Sequence, residues 1–179
     1  MKNRIEAKKI FKDVKLLILD VDGVLTKGEI IYDDTGRELK IFNVKDGLGV
    51  SLLSRVGIKT LLLSARNSPM LKKRAEDMKV VEVIGGVLPK EKVLKRIKDK
   101  YGVKDEEICF MGDDIIDLGV IRKVGIGVAV CDAHPLVKKA AKYVTVKRGG
   151  EGAVREVVDL IIKYRKLEKE IFEFIENPV

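Results

Sequence analysis

A chain of 179 residues supports one domain with a sizeable core and is too short for two. Hydrophobic residues make up 46%, aromatics are few and Trp is absent, which suits an aliphatic α/β protein; 36% charge with no Gln and only four Asn is a thermophile-like balance. The net charge of +8 comes from Lys interleaved with Glu, without the dense basic and aromatic blocks of a nucleic-acid binder, and no apolar run approaches the ~18 residues of a membrane span. No signal segment is read at the start, so a cytoplasmic location is expected.

Residues 4–12 predict a first helix with Ile5, Ile10 and Phe11 on its apolar side. The run Val14-Lys15-Leu16-Leu17-Ile18-Leu19 then predicts a buried strand over 15–19, released into Asp20-Val21-Asp22-Gly23-Val24-Leu25-Thr26. Two carboxylates separated by one residue at a strand tip are costly unless something positive sits there, most simply a bound cation. Next, 29–32 and 37–42 read as two short strands around Asp33-Asp34-Thr35-Gly36. An isolated ribbon is poorly stable, so this hairpin is expected to be a flap over the site or a pairing surface between subunits.

Further buried strands are predicted at 59–63, 80–84, 107–111, 127–130 and 143–146, and amphipathic helices at 47–56, 68–78, 90–101, 114–124 and 135–141. Pro89 suits the start of the third of these helices. The alternation reads as a doubly wound, mostly parallel, Rossmann-like sheet whose site lies outside the carboxyl ends of its strands. Ser64, Lys90 and Gly112-Asp113-Asp114-Ile115-Ile116-Asp117 all stand after such strands. Cys109 and Cys131 lie in apolar, strand-like runs and are expected to be buried, reduced thiols, not a disulfide or metal pair.

These residues can perform phosphoryl transfer. Asp20 can attack phosphorus to give an aspartyl-phosphate, and Asp22 can protonate the leaving oxygen and then deprotonate a water. Nucleophile and phosphate are both anionic, so Mg²⁺ and a lysine are needed to neutralise them. Asp113 can supply a metal oxygen, Asp117 can hold that shell, Ser64 offers a hydroxyl and Lys90 a fixed charge, with Lys92 competing on spacing alone. His134, the single histidine, is read as a turn residue, Asp114 as a helix-start or supporting residue, and Gly149-Gly150-Glu151-Gly152 as either an anion cradle or a turn.

On the four motifs Asp20-Val21-Asp22-Gly23-Val24-Leu25-Thr26, Ser64-Ala65-Arg66, Lys90 and Gly112-Asp113-Asp114-Ile115-Ile116-Asp117, the chain resembles the haloacid dehalogenase superfamily. With Phe42-Asn43-Val44-Lys45-Asp46-Gly47-Leu48-Gly49 and Gly149-Gly150-Glu151-Gly152-Ala153-Val154-Arg155-Glu156-Val157 it resembles the capless members that act on 3-deoxy-D-manno-octulosonate 8-phosphate. The resemblance implies one phosphatase domain over 1–179 with the hairpin at 29–42, a C-terminal helix and tail at 153–179, and no cap domain. It implies Asp20 as nucleophile and Asp22 as general acid/base, assisted by Ser64 and Lys90. Mg²⁺ would be held by Asp20, the Asp22 carbonyl and Asp113. Contacts to a small anionic sugar-acid phosphate would fall on Asp22, Asn43, Val44, Lys45, Asp46, Gly47, Arg66, Arg74 and Lys90. A role in lipopolysaccharide biosynthesis would follow.

Two departures stand out. The second motif of the family usually reads Thr-Gly-Arg, and Ser64-Ala65-Arg66 keeps its hydroxyl and arginine. Ser51 stands where the family often has an arginine, and Arg55, one helical turn on, could compensate. Leu160, Tyr164, Leu167, Ile171 and Phe174 form a helical stripe. The resemblance implies a homo-oligomer, a tetramer built through the hairpin, in which the tail 168–179 shields a neighbour's site; packing of the stripe on the first helix is the alternative. Other readings are a phosphatase for a nine-carbon acid phosphate, a receiver domain, and a non-catalytic module assisting a sugar-nucleotide enzyme. A receiver needs its acceptor after the third strand, where this chain has Gly85-Gly86.

Overall fold

The computed structural model describes residues 10–176. The first predicted helix lies almost entirely outside them, though Phe11 is fully buried and Ile10 packs beside it. The strands are β1 (Leu16–Leu19), β2 (Ile31–Tyr32), β3 (Glu38–Leu39), β4 (Lys59–Leu63), β5 (Glu82–Ile84), β6 (Ile108–Gly112), β7 (Ile126–Ala129) and β8 (Tyr143–Val144). The helices are α1 (Val44–Arg55), α2 (Pro69–Asp77), α3 (Leu94–Tyr101), α4 (Leu118–Ile121), α5 (Pro135–Ala140), α6 (Ala153–Arg165) and α7 (Glu168–Glu176).

Six strands form one parallel sheet in the order β5-β4-β1-β6-β7-β8, and β2-β3 form a separate antiparallel ribbon. All four residues of β1 are buried, as are all five of β6, because helices cover both faces. Leu19 pairs in register with Leu62 of β4 and with Met111 of β6, so three strands end side by side. After β1 the chain builds outward through β4 and β5, then returns to β6 on the other side. The reversal puts a crevice at the carboxyl ends of β4, β1 and β6, where open α/β sheets bind ligands.

The predicted strands of the parallel sheet stand within two residues of the observed ones, since unbroken Val/Ile/Leu runs suit a doubly covered sheet, whereas the second hairpin strand, expected over 37–42, is only Glu38–Leu39. The last strand stops at Val144 instead of Val146. The Glu156 carboxylate takes the Val146 N–H at 2.9 Å and the Lys147 N–H at 2.9 Å, drawing the chain off the sheet. The helix expected from Lys90 opens with a 3₁₀ turn, Lys90–Val93, before α3. The helix expected over 114–124 is likewise a 3₁₀ turn, Ile115–Asp117, followed by the short α4.

Lys166 adopts φ 58° and ends α6, and α7 then folds back. The stripe packs inward on its own chain: Ile171 is buried, Leu160, Tyr164 and Leu167 lie against the core, and Phe174 sits under Arg55 of α1. Both cysteines are free, Cys109 buried in β6 and Cys131 half-buried. No helix of the described residues is long and apolar enough to cross a membrane.

Candidate active site

Asp20 follows the last residue of β1, and its own N–H donates to the Met111 carbonyl at 3.0 Å, stitching the strand end to β6. Its Oδ1 accepts from Val21 N at 2.7 Å and pairs with Lys90 Nζ at 2.8 Å. Oδ2 is therefore the oxygen left for chemistry. The loop coils around Val21, whose carbonyl accepts from Val24, Leu25 and Thr26, while Thr26 Oγ1 accepts from the N–H groups of Gly23 and Gly28. The Asp22 carbonyl receives no hydrogen bond from the described residues, which suits a metal ligand.

Lys90 is fully buried and lies 2.7 Å from Asp117 Oδ1 as well as beside Asp20. Burial pulls its ammonium down, but the two carboxylates outweigh that and hold its pKa above the usual value. Lys92 is exposed, so the geometry selects Lys90 of the two. Asp117 Oδ2 accepts from Asp113 N at 2.9 Å and Asp114 N at 3.3 Å, so its carboxylate fixes the turn that carries Asp113. Asp114 caps that turn by accepting from Ile115 N, and His134 caps α5 through Nδ1, matching the roles expected of both.

Oxygens of Asp20, Asp113 and Asp117 all lie within 4.8 Å of one another. Burial, then the charges of Asp20, Asp117 and Asp114, push Asp113 up to about 8. Burial, then Asp117, push Asp20 up to about 6 against the pull of Lys90. One lysine thus leaves the cluster short of positive charge, and a hard divalent cation fits that deficit. The backbone makes room for these carboxylates. A side chain at Gly23, which has φ 86°, would collide with Asp113 Oδ2, and one at Gly112 would collide with the Asp117 carboxylate.

Ser64 sits at the tip of β4 with its N–H tied to Ile84; its Oγ accepts from Arg66 N at 3.0 Å, leaving the hydroxyl proton free to donate. Arg66 Nη2 lies 2.9 Å from Glu38 Oε1 of the hairpin and Nη1 lies 3.9 Å from Asp22 Oδ2. Arg74 reaches α1, donating to the Asn43 carbonyl at 2.9 Å with its guanidinium 5.3 Å from the Phe42 ring. A side chain at Gly47 would occupy the place of that guanidinium, and Arg74 Nε is buried without a hydrogen-bond partner. Asn43 caps α1 by accepting from Lys45 N and donates to the Gly150 carbonyl, while Val44 and Lys45 are exposed.

Asp46 takes another place. Its fully buried carboxylate accepts from Arg155 N at 2.7 Å and Gly152 N at 3.2 Å, clamping α1 to the start of α6, which differs from the substrate contact the resemblance implies. The Gly149–Gly152 stretch is a turn. Gly149, Gly150 and Gly152 give their N–H groups to Asp132, the Val24 carbonyl and Asp46. Packed against Gly23 and Thr26, it buttresses the Asp20 loop. Arg55 does not compensate for Ser51, because its guanidinium lies 4.3 Å over the Phe174 ring.

Lys40 and Glu38 were not singled out by the sequence. Lys40 donates to Asp22 Oδ1 and lies 3.2 Å from Glu38 Oε1. Glu38 and Lys40 alternate with Leu39 and Ile41, so the period of two turns the charged pair toward the site and the apolar pair outward. That alternation is visible in the sequence; the direction in which the ribbon docks is not.

This arrangement of carboxylates, lysine and hydroxyl on a parallel sheet has known counterparts. The profile of haloacid dehalogenase-like hydrolases matches residues 57–157, and the chain belongs to that family. Its relatives are narrower in kind. The 3-deoxy-D-manno-octulosonate 8-phosphate phosphatase KdsC of Salmonella typhi is 40% identical over 151 residues, 84% of this chain and 80% of that protein. A haloacid dehalogenase superfamily (subfamily III A) hydrolase from Legionella pneumophila superposes with a TM-score of 0.93 at 35% identity, covering 97% of this chain and 96% of its own. The 3-deoxy-D-manno-octulosonate 8-phosphate phosphatase of Moraxella catarrhalis, solved with magnesium, phosphate and the sugar acid, superposes at 0.90 with 35% identity, covering 97% and 98%. The chain is a phosphatase of the haloacid dehalogenase-like family.

Proposed function

We propose that the chain hydrolyses 3-deoxy-D-manno-octulosonate 8-phosphate to the sugar acid and inorganic phosphate with Mg²⁺. The observation that carries this reading is Asp20, its Oδ2 left free at the tip of the central strand, in a cluster where Asp20, Asp113 and Asp117 each bring an oxygen within 4.8 Å of the others. The relatives, one of them holding magnesium, phosphate and the sugar acid, support the metal and the substrate.

Asp20 Oδ2 attacks phosphorus and the bond to the sugar oxygen breaks, with Asp22 giving its proton to that oxygen. Asp22 then takes a proton from water as the water attacks the aspartyl-phosphate, releasing phosphate and restoring Asp20. Lys90 and Ser64 serve the phosphate oxygens, and Lys90 also keeps Asp20 aligned. Mg²⁺, held by Asp20, Asp113 and the Asp22 carbonyl, would neutralise the charge gathered between nucleophile and phosphate. Arg66, Arg74, Lys45 and the start of α1 at Asn43, Val44 and Gly47 line the approach for an anionic sugar acid.

Purified protein should release phosphate from the eight-carbon acid phosphate with Mg²⁺ and almost none with excess chelator. A panel including a nine-carbon acid phosphate and a plain aryl phosphate checks it. Preference for the nine-carbon acid would move the substrate assignment, and activity unchanged in chelator would overturn the metal mechanism.

The same reading makes the working unit a homotetramer joined through the hairpin. Ile30, Tyr32, Leu39 and Ile41 are 45–70% exposed, an apolar surface unusual for a ribbon this small. Ile171 and Phe174 of α7 are used within the chain, which leaves Phe172 and Ile175, both exposed, as the face that could cover a neighbour's site. Light scattering should give four times the 20.0 kDa chain mass, whereas a fully active monomer would refute the assembly.

A further inference from the structure

We infer that Lys40 is the positioning residue for the Asp22 carboxylate, delivered to it by the hairpin. The inference rests on Asp22 acting as acid and base in the proposed reaction. Three observations carry it, beginning with burial: the Lys40 side chain is 2% exposed although Leu39 and Ile41 on either side face solvent. An ammonium is withdrawn from water to that degree only where anions meet it, and here the anions are Asp22 and Glu38.

The second is how differently the site's carboxylates are held. Asp20 is fixed by the Val21 N–H and Asp117 by the Asp113 and Asp114 N–H groups. Among the described residues no backbone N–H reaches the Asp22 side chain, and Lys40 is its one hydrogen-bond donor. Arg66 Nη1, at 3.9 Å from Oδ2, is too far to align it, and Arg66 Nη2 is drawn instead to Glu38 at 2.9 Å. The third is the split of the two oxygens. With Oδ1 taken by Lys40, Oδ2 is the one left to give and take the proton. Docking of the hairpin and orientation of the acid are thus one event.

Leaving-group dependence tests this, because a sugar alkoxide needs a proton to depart and 4-nitrophenolate does not. For Lys40→Met, kcat on the sugar-acid phosphate should fall about 10²-fold, the size of a misplacement on the order of 1 Å, with KM within about threefold. The single-turnover burst of 4-nitrophenol, which reports transfer to Asp20 alone, should fall less than about threefold. Lys40→Arg keeps the charge, and hence the docking, so it should retain more of the sugar-phosphate rate and also spare the burst, which keeps the test valid if the Met variant fails to fold. Equal losses on both substrates, a change in KM alone, or no loss in either variant would overturn the role of Lys40. An acid-quenched Asp22→Asn enzyme whose Asp20 peptide never carries a phosphoryl group would instead count against the covalent reading itself.

Discussion

Asp20→Asn should fold normally and release no phosphate above background. The side chains are isosteric, and the substitution removes one negative charge from a cluster in which Asp113, Asp117 and Asp20 crowd within 4.8 Å. The raised pKa of Asp20, caused by burial and then Asp117, shows that the apo fold holds this charge reluctantly. Without metal the variant should therefore unfold at no lower temperature than wild type. Turnover is another matter, since removing the nucleophile of a covalent mechanism costs on the order of 10⁶-fold. Retention of wild-type turnover would show that phosphate leaves by direct attack of water.

Lys90→Met should damage both stability and rate. The ammonium is wholly buried, 2.8 Å from Asp20 and 2.7 Å from Asp117, and Met fills its volume without its charge. Breaking a buried ion pair by removing one partner typically costs about 3–5 kcal/mol, because the other charge stays behind uncompensated. Here two carboxylates stay behind. The loss should be read in urea unfolding without metal, and Mg²⁺ should recover more stability in the variant than in wild type, since the cation then supplies the only countercharge. The rate should fall by about 10²- to 10³-fold, the usual effect of losing a fixed donor to developing charge. Equal stabilisation of both proteins by Mg²⁺ would mean that Lys90 and the metal do not share these carboxylates.

Much of this was legible in the sequence because the sheet is built from runs that admit one reading. Leu16–Leu19 and Ile108–Gly112 are apolar throughout, as only doubly covered strands are, and the polar residues that follow them had to emerge at one edge. Spacing could not choose between Lys90 and Lys92; burial between Asp20 and Asp117 does. Nor could it foresee that Asp46, within a motif read as substrate-facing, turns inward to receive the N–H groups of Gly152 and Arg155 more than a hundred residues on. Arg55 looked free to serve the site until α7 folded back and set Phe174 beneath it. Lys40 escaped notice for the same reason. Contacts within one helix or strand follow from its period, whereas contacts between a hairpin and a loop depend on how separate segments dock.

Passage of the phosphoryl group through Asp20 is read in the variant Asp22→Asn. That variant keeps the nucleophile and the Asp22 carbonyl but lacks the base for the second step. Mixed with 4-nitrophenyl phosphate and Mg²⁺, then quenched in acid, it should give one equivalent of nitrophenol and a peptide containing Asp20 heavier by one phosphoryl group. Continued linear release of phosphate, with that peptide unmodified at every quench time, would mean that no phosphoryl group rests on Asp20.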